Sequence, residues 1–372
     1  MAPPGKTVLA TVVAGALIAL VATTASAASS FIGRLSALTE VASTVPTPPN
    51  SQDQNPYGVA VVPVSRGQLV QGDVLVSNFN NAANQQGTGT TIVQISPSGS
   101  VSLFAQIDAT KLPGACPGGV GLTTALSVLR SGWVIVGSLP TADGTSATMQ
   151  AGCLIVLNSQ GQVVRTISGG PINGPWDMTA VDFGAFAELF VTNVLNGLDP
   201  KGPSTNVVDQ GTVVRIGLLT LGTKTPVVFS ETVIGKGFPE RTDPAALVVG
   251  PTGVGFDGNT LYVADTNDSS IVAIHGALGR QAATTGQTIS STGSLNGPLG
   301  LAIAPNADIL TTNGGDGLLV ETTPGGQQVA TFNTSNVDSS FGAGSLFGLA
   351  VKPGGSGVYL VDDGNNTFWL LH

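Results

Sequence analysis

Six times along the chain an apolar run closes on a small polar residue: VLVSN at Val74–Asn78, VIVGS at Val134–Ser138, LFVTN at Leu189–Asn193, LYVAD at Leu261–Asp265, ILTTN at Ile309–Asn313 and VYLVD at Val358–Asp362. Each run is too short for a helix and reads as a buried strand bounded by turns. A second short strand, introduced by a turn, precedes each: NPYGVAVVP from Asn55, TTALSVL from Thr123, GPWDMTAV from Gly174, GPTGVGF from Gly250, GPLGLAIAP from Gly297 and SLFGLAVKP from Ser345. All but the last run are followed by a third strand, a turn and a fourth, as in TIVQISPSGSVSLFAQI from Thr91 and LIVLNSQGQVVRTIS from Leu154. Such a unit cannot bury both faces of its own sheet, so neighbouring units must stack. Four strands per unit, six units, predicts an all-β chain folded as a six-bladed β-propeller.

The sixth unit stops at Trp369-Leu370-Leu371-His372, one strand short. An open blade would leave a long sheet edge unpaired. The segment LTEVAST at Leu38–Thr44, ahead of the proline-rich TVPTPP, is the strand available to complete it. This divides the chain into residues 1–27, residues 28–50 with the closing strand and a proline-rich linker, and the propeller at 51–372. The insertions around Pro140–Gln150 and Asn196–Asp209 read as loops between strands. Glycines recur at Gly58, Gly253, Gly300 and Gly348, which we assign to backbone freedom in the turn that opens each inner strand.

Only 9% of the residues are charged while 42% are hydrophobic, the opposite of a disordered composition. The formal net charge of -9, with 13 Lys and Arg that never cluster, excludes a nucleic-acid partner. It also speaks against an anionic membrane surface. At the N-terminus Lys6 precedes an apolar run from Val8 to Val21, and Ala25-Ser26-Ala27 supplies the small residues of a signal-peptidase site. The expectation is a cleaved signal peptide and a secreted or periplasmic monomer with no membrane contact beyond that signal; a retained anchor is the alternative. In an oxidising compartment Cys116 and Cys153 are expected to pair, worth on the order of 4 kcal/mol in the chain-entropy model; two buried free thiols are the alternative.

The stretches PLGLAIAPNADILTTNGGDGLLVETTPGGQQVATF and PTGVGFDGNTLYVADTNDSSIVAI resemble NHL repeats, with a proline-x-glycine opening, a hydrophobic strand ending in Asp or Asn, and an apolar third strand. The resemblance covers about six blades, strongest in the last three, and implies a six-bladed propeller without implying an activity.

The terminal polar column, Asn78, Ser138, Asn193, Asp265, Asn313 and Asp362, is expected to be architectural, each side chain accepting hydrogen bonds from the turn that follows. Its rival reading takes Asp265, Asn267, Asp268, Asp362 and Asp363 as oxygen ligands of a hard cation, but no loop has the regular DxDxDG spacing that would make this specific. Propellers similar to gluconolactonases hold one calcium ion on the axis through Glu, Asn and Asp at the heads of the inner strands. Here those positions carry Tyr57, Thr124, Trp176, Thr252, Leu299 and Phe347. Asn173 and Asn296 are the nearest substitutes, and Asp177 stands where the other strands have glycine. With only His275 and His372, histidine-based metal sites and a Ser-His-Asp relay have almost no material. No cofactor is therefore expected, calcium entering only under the hydrolase alternative.

In a propeller the loops into the inner strands and out of the second strands open on one face. Tyr57, Trp176, Leu299 and Phe347 should ring a channel mouth there, with Asn173, Asp177 and Asn296 close by. An apolar ring inside a polar rim is how small-molecule pockets are lined; the competing reading is that these side chains wedge between blades and extend the core. The leading expectation is a binding or interaction scaffold for an unidentified small molecule or protein. The alternative is a metal-dependent hydrolase or lactonase.

Overall fold

The structure, a computed structural model, describes residues 30–372 together with Met1 and Ala2. The apolar run Val8–Val21 and the cleavage motif lie outside the described residues. Among the described residues no helix is long and apolar enough to cross a membrane.

Six sheets surround a central axis, as the repeats predict. From the axis outwards, blade 1 holds Gln54–Val61, Val74–Asn80, Thr91–Ile95 and Val101–Gln106, and blade 2 holds Leu122–Val128, Val134–Ser138, Cys153–Leu157 and Val163–Ile167. Blade 3 runs from Gly174–Asp182 to a 17-residue outer strand, Val227–Asp243, and carries a fifth short strand, Leu247–Val249. Blades 4 and 5 begin at Pro251–Asp257 and Pro298–Ile303. The inner strands all run one way: they start at what we call the upper face, where the second strands end, and turn back at the lower face.

Blade 6 contains Leu346–Val351, Val358–Asp362 and Thr367–Leu371, and its outer strand is Leu38–Ser43, antiparallel to Thr367–Leu371 from Leu38↔Leu371 to Ser43↔Thr367. The N-terminal segment thus closes the ring. It is held further upstream: Phe31 and Ile32 are buried against blades 5 and 6, and the Glu321 carboxylate accepts both of their amides, at 2.6 and 2.8 Å. Burying two such side chains is worth roughly 1.5–3 kcal/mol each.

The second and third strands of blade 2 are buried along their whole length, and those of the other blades along most of theirs, because each sheet is covered on both faces by neighbouring blades. That is why they read as unbroken apolar runs without alternation. One cluster shows the seam: Leu75 and Ile92 of blade 1 meet Val134, Val136 and Ile155 of blade 2.

The inner-strand glycines have a cause other than the one expected from sequence. None of Gly58, Gly253, Gly300 and Gly348 has a positive φ. What they permit is contact between adjacent blades: a Cβ on Gly300 would lie 2.2 Å from the Phe347 carbonyl oxygen, and one on Gly348 would lie 2.1 Å from that of Tyr57. At this level each inner strand also shifts register against its second strand, which frees a backbone amide. In three alternate blades a hydroxyl takes up that amide and donates to the next blade. Ser77 accepts from Gly58 N and donates to Thr123 O, Thr192 links Asp177 N to Thr252 O, and Thr312 links Gly300 N to Phe347 O. The backbone disruption is satisfied across the seam, as buried polar groups require.

Cys116, in the loop into blade 2, and Cys153, at the head of that blade's third strand, form a disulfide with Cα atoms 5.1 Å apart.

Candidate functional site

The four residues expected at the channel mouth divide into two groups. Tyr57, Trp176 and Phe347 form one aromatic body with Phe79 from the second strand of blade 1. Tyr57 stacks on Phe347 at 4.0 Å and on Phe79 at 4.4 Å, and Trp176 meets both Tyr57 and Phe79 edge-on. Over this body lies an arm that the sequence reading did not single out: the outer strand of blade 3 turns at Asp243–Ala246 and returns as Leu247–Val249, pairing Arg241 with Val249. Leu247 and Val248 at its tip are 1% exposed and pack on the aromatic cluster. Leu247 adopts φ 62°, a left-handed conformation that costs a bulky residue about 1–2 kcal/mol. Burial of its side chain in the mouth offsets that cost.

The plug separates two spaces. Below it the axial channel holds a cavity of about 350 Å³, walled by Val59, Leu126, Val254, Leu301 and Leu349 and opening to the lower face past Val61, Val128 and Val351. Asp177 stands at its closed end in the glycine position of blade 3. Its Oδ2 accepts the Val254 amide of blade 4 at 3.0 Å, and burial pushes its carboxyl up to about 8.

Beside the plug, on the upper face over blades 4 to 6, lies a second cavity of about 480 Å³. Leu299 and Phe347 contribute apolar surface to it. Asn296 lies on its rim, donating to Asp316 Oδ2 at 3.1 Å, and the arm supplies Arg241, Asp243, Ala245, Ala246 and Val249. Arg241 is fixed from two sides: Nη1 donates to Asp243 Oδ2 at 2.7 Å and Nε to Asn267 Oδ1 at 3.2 Å. Asp363 also lines the cavity. Burial, reinforced by the neighbouring Asp362, pushes its carboxyl up to about 7, and its carboxylate accepts no hydrogen bond from the described residues. Of the residues expected at the channel mouth, Leu299, Phe347 and Asn296 therefore meet here, joined by Asn267 and Asp363 from the polar turns. Tyr57 and Trp176 lie under the plug, Asp177 below it, and Asn173 in a knot with Asn193 and Asn196. The sequence reading missed Arg241 and Asp243. Their signal was an Arg and an Asp two apart in PERTDP, within a chain otherwise poor in charge.

The polar column is fully buried and tethers loops, with a division of labour the expectation lacked. Asp265 and Asp362 accept from the turn that follows, from Asp268 N at 3.4 Å and Gly364 N at 2.9 Å. The asparagines reach elsewhere: Asn78 donates to Thr44 O at 3.0 Å, fixing the end of the closing segment, Asn313 donates to Ser294 O at 2.7 Å, and Asn193 accepts from Asn173 N at 2.8 Å. Ser138 bridges Gly119 O and Gly121 N. Burial and the nearby Asp268 push the Asp265 carboxyl up to about 7. Among the described residues no three His, Cys, Asp or Glu side chains gather as a set of metal ligands.

No family model matches the sequence, and no curated protein matches it. The fold is similar to a gluconolactonase from Xanthomonas campestris, with a TM-score of 0.53 and 14% identity over 90% of this chain and 88% of that one. It is also similar to regucalcin, a calcium-binding protein from Agrobacterium tumefaciens, with a TM-score of 0.53 and 13% identity over 86% of this chain and 90% of that one. The chain is a six-bladed β-propeller of the gluconolactonase-like shape. At these identities the likeness concerns the fold alone.

Proposed function

We propose that the protein is an exported binding propeller, built from NHL-like repeats, whose ligand occupies the upper-face cavity between the arm and blades 4 to 6. The observation that carries this reading is Asp363. A half-buried carboxyl in the cavity wall beside Phe347, without a donor from the described residues, is free to pair with a donor on the ligand. Asp243 already faces Arg241, so the surplus charge of the cavity is that of Asp363. The complementary molecule is small and amphipathic, with an amine or comparable donor toward Asp363 and an apolar or aromatic part on Leu299 and Phe347.

The test is calorimetry on a series of aromatic amines and their carboxylate counterparts. Amines should bind, the matched acids should not, and Asp363→Asn should remove amine binding while leaving the melting temperature within a few degrees of wild type. Equal binding of both series, or binding indifferent to Asp363→Asn, would sink the reading.

A hydrolytic reading in the manner of gluconolactonase-like propellers has one observation in its favour, the Asp177 carboxyl on the axis. The residues around it do not fit a calcium ion: Oδ2 is engaged by Val254, and the heads of the inner strands offer Tyr57, Thr124, Trp176, Thr252, Leu299 and Phe347, none of them a carboxylate or an amide. Hydrolysis of an aldonolactone that depends on both calcium and Asp177 would revive it.

A further inference from the structure

The lower face of the propeller carries a feature that the upper-face site does not use. The two lower turns of blade 3 expose Phe183, Phe186, Leu219, Leu221, Val227 and Phe229, each more than a third accessible. They form one patch. Phe183 stacks on Phe186 at 4.6 Å, Phe186 lies opposite Leu219, and Leu219 lies opposite Val227. Phe229 lies over Gly217, where a Cβ would come within 2.4 Å of its ring, so the strand is shaped to let an exposed phenylalanine lie flat. Apart from Met1, Val207 and Val337, the remaining large apolar side chains exposed among the described residues, Val64, Val70 and Val101, also lie at lower turns, those of blade 1.

Two further observations concern what covers this face. The first is where the described chain begins. Phe31 and Ile32 are clamped by Glu321 at the lower end of its strand, so the described propeller chain begins at the lower rim. Blades 5 and 6, which hold that start, stand across the ring from the patch on blade 3. The second is charge. Among the exposed side chains at the turns, the upper face carries Asp108, Asp143, Asp199, Asp209 and Asp268 against Lys111 and Lys201, while the lower face carries Arg34, Arg66, Arg130 and Lys224 against Asp257. The net negative charge of the chain is therefore carried away from the face that bears the apolar patch.

We propose that the lower face rests on a lipid bilayer, with the Phe183–Phe229 patch entering the interface and the four bases meeting headgroup phosphates. Exposed aromatic and aliphatic loop tips flanked by bases are the chemistry that partitions into an interface. A membrane is favoured over a second copy of this chain because the charge asymmetry extends over the whole face, and not one edge of blade 3. The upper-face cavity then points away from the membrane. This arrangement is independent of the proposed ligand, and failure of either leaves the other standing.

The test is co-sedimentation of the exported protein with vesicles of phosphatidylcholine alone and of phosphatidylcholine mixed with phosphatidylglycerol, combined with hydrogen exchange on the bound state. Binding to both is expected, stronger with phosphatidylglycerol, with protection at 183–186 and 219–229. The double variant Phe183→Ser, Phe229→Ser should lower partitioning by roughly tenfold or more. Because these side chains are exposed, that variant should keep its melting temperature, which separates lost binding from lost fold. Partitioning unchanged in the variant, protection confined to the upper face, or no sedimentation at all would overturn the proposal. So would concentration-dependent dimerisation that the variant abolishes, since the patch would then be an interface between copies.

Discussion

Asp177 reaches across the seam between blades 3 and 4 to accept the Val254 amide at 3.0 Å, at the closed end of the axial channel. Burial there pushes its carboxyl up to about 8, well above the value of an unfolded chain. The folded state therefore keeps a proton that the unfolded state gives up. The associated stability is fully present below about pH 4 and is lost as pH rises through about 8. Asp265, Asp363 and Glu240, each pushed up to about 7 chiefly by burial, act in the same direction. Denaturant unfolding across this range should show stability falling with pH. In Asp177→Asn the fall should be shallower by up to one proton's slope, about 1.4 kcal/mol per pH unit. Parallel profiles for the two proteins would show that the carboxyl is already ionised.

Trp176 meets Tyr57 and Phe79 edge-on beneath the arm and is 3% exposed. Trp176→Ala should lower stability by about 3–5 kcal/mol, the cost of a large cavity in a packed core. Asp265→Ala, which removes a turn bond, should cost roughly 1 kcal/mol. Chemical denaturation of both variants checks the order; a mild Trp176→Ala would mean that the mouth is open and not plugged.

The closing strand predicts a large effect from a short deletion. Removing residues 28–46 strips blade 6 of its outer strand and takes away Phe31 and Ile32, so the protein should aggregate or melt far below wild type. Glu321→Gln is the milder probe: it weakens the two bonds to Phe31 and Ile32, and about 1.5–3 kcal/mol should be lost. Limited proteolysis should then release the N-terminal segment first. An unchanged melting temperature in the deletion would make the segment a tail.

Reducing the Cys116–Cys153 bond should destabilise blade 2 by on the order of 4 kcal/mol in the chain-entropy model. Mass analysis of non-reduced peptides from the exported protein should find the two cysteine peptides joined. Two free thiols would refute the bond.

The architecture was legible because its signals repeat. Runs such as Val134–Ser138 are apolar throughout because blades cover both faces of each sheet, and the missing fourth strand after Leu371 forced a search for Leu38–Thr44. What occurs once was not legible. The arm at Asp243–Val249 occurs in one blade and carries no repeated signal, yet it decides that Tyr57 and Trp176 are sealed while Leu299 and Phe347 reach a cavity. The glycines were correctly singled out and wrongly explained, since a local cause, φ, and a distant one, the Tyr57 carbonyl against Gly348, leave the same mark in a sequence. The hydroxyls of Ser77, Thr192 and Thr312 sit one position before the polar column and were passed over, because their partners belong to the next blade.

The central claim is that the cavity beside the plug binds the ligand, and a crystal soaked with small aromatic amines tests it most directly. The account predicts density between Arg241, Asn296, Phe347 and Asp363, with the amine on the Asp363 carboxylate and the ring on Leu299 and Phe347. Density confined to the axial channel around Asp177, with the upper cavity left to solvent at saturating fragment, would contradict it.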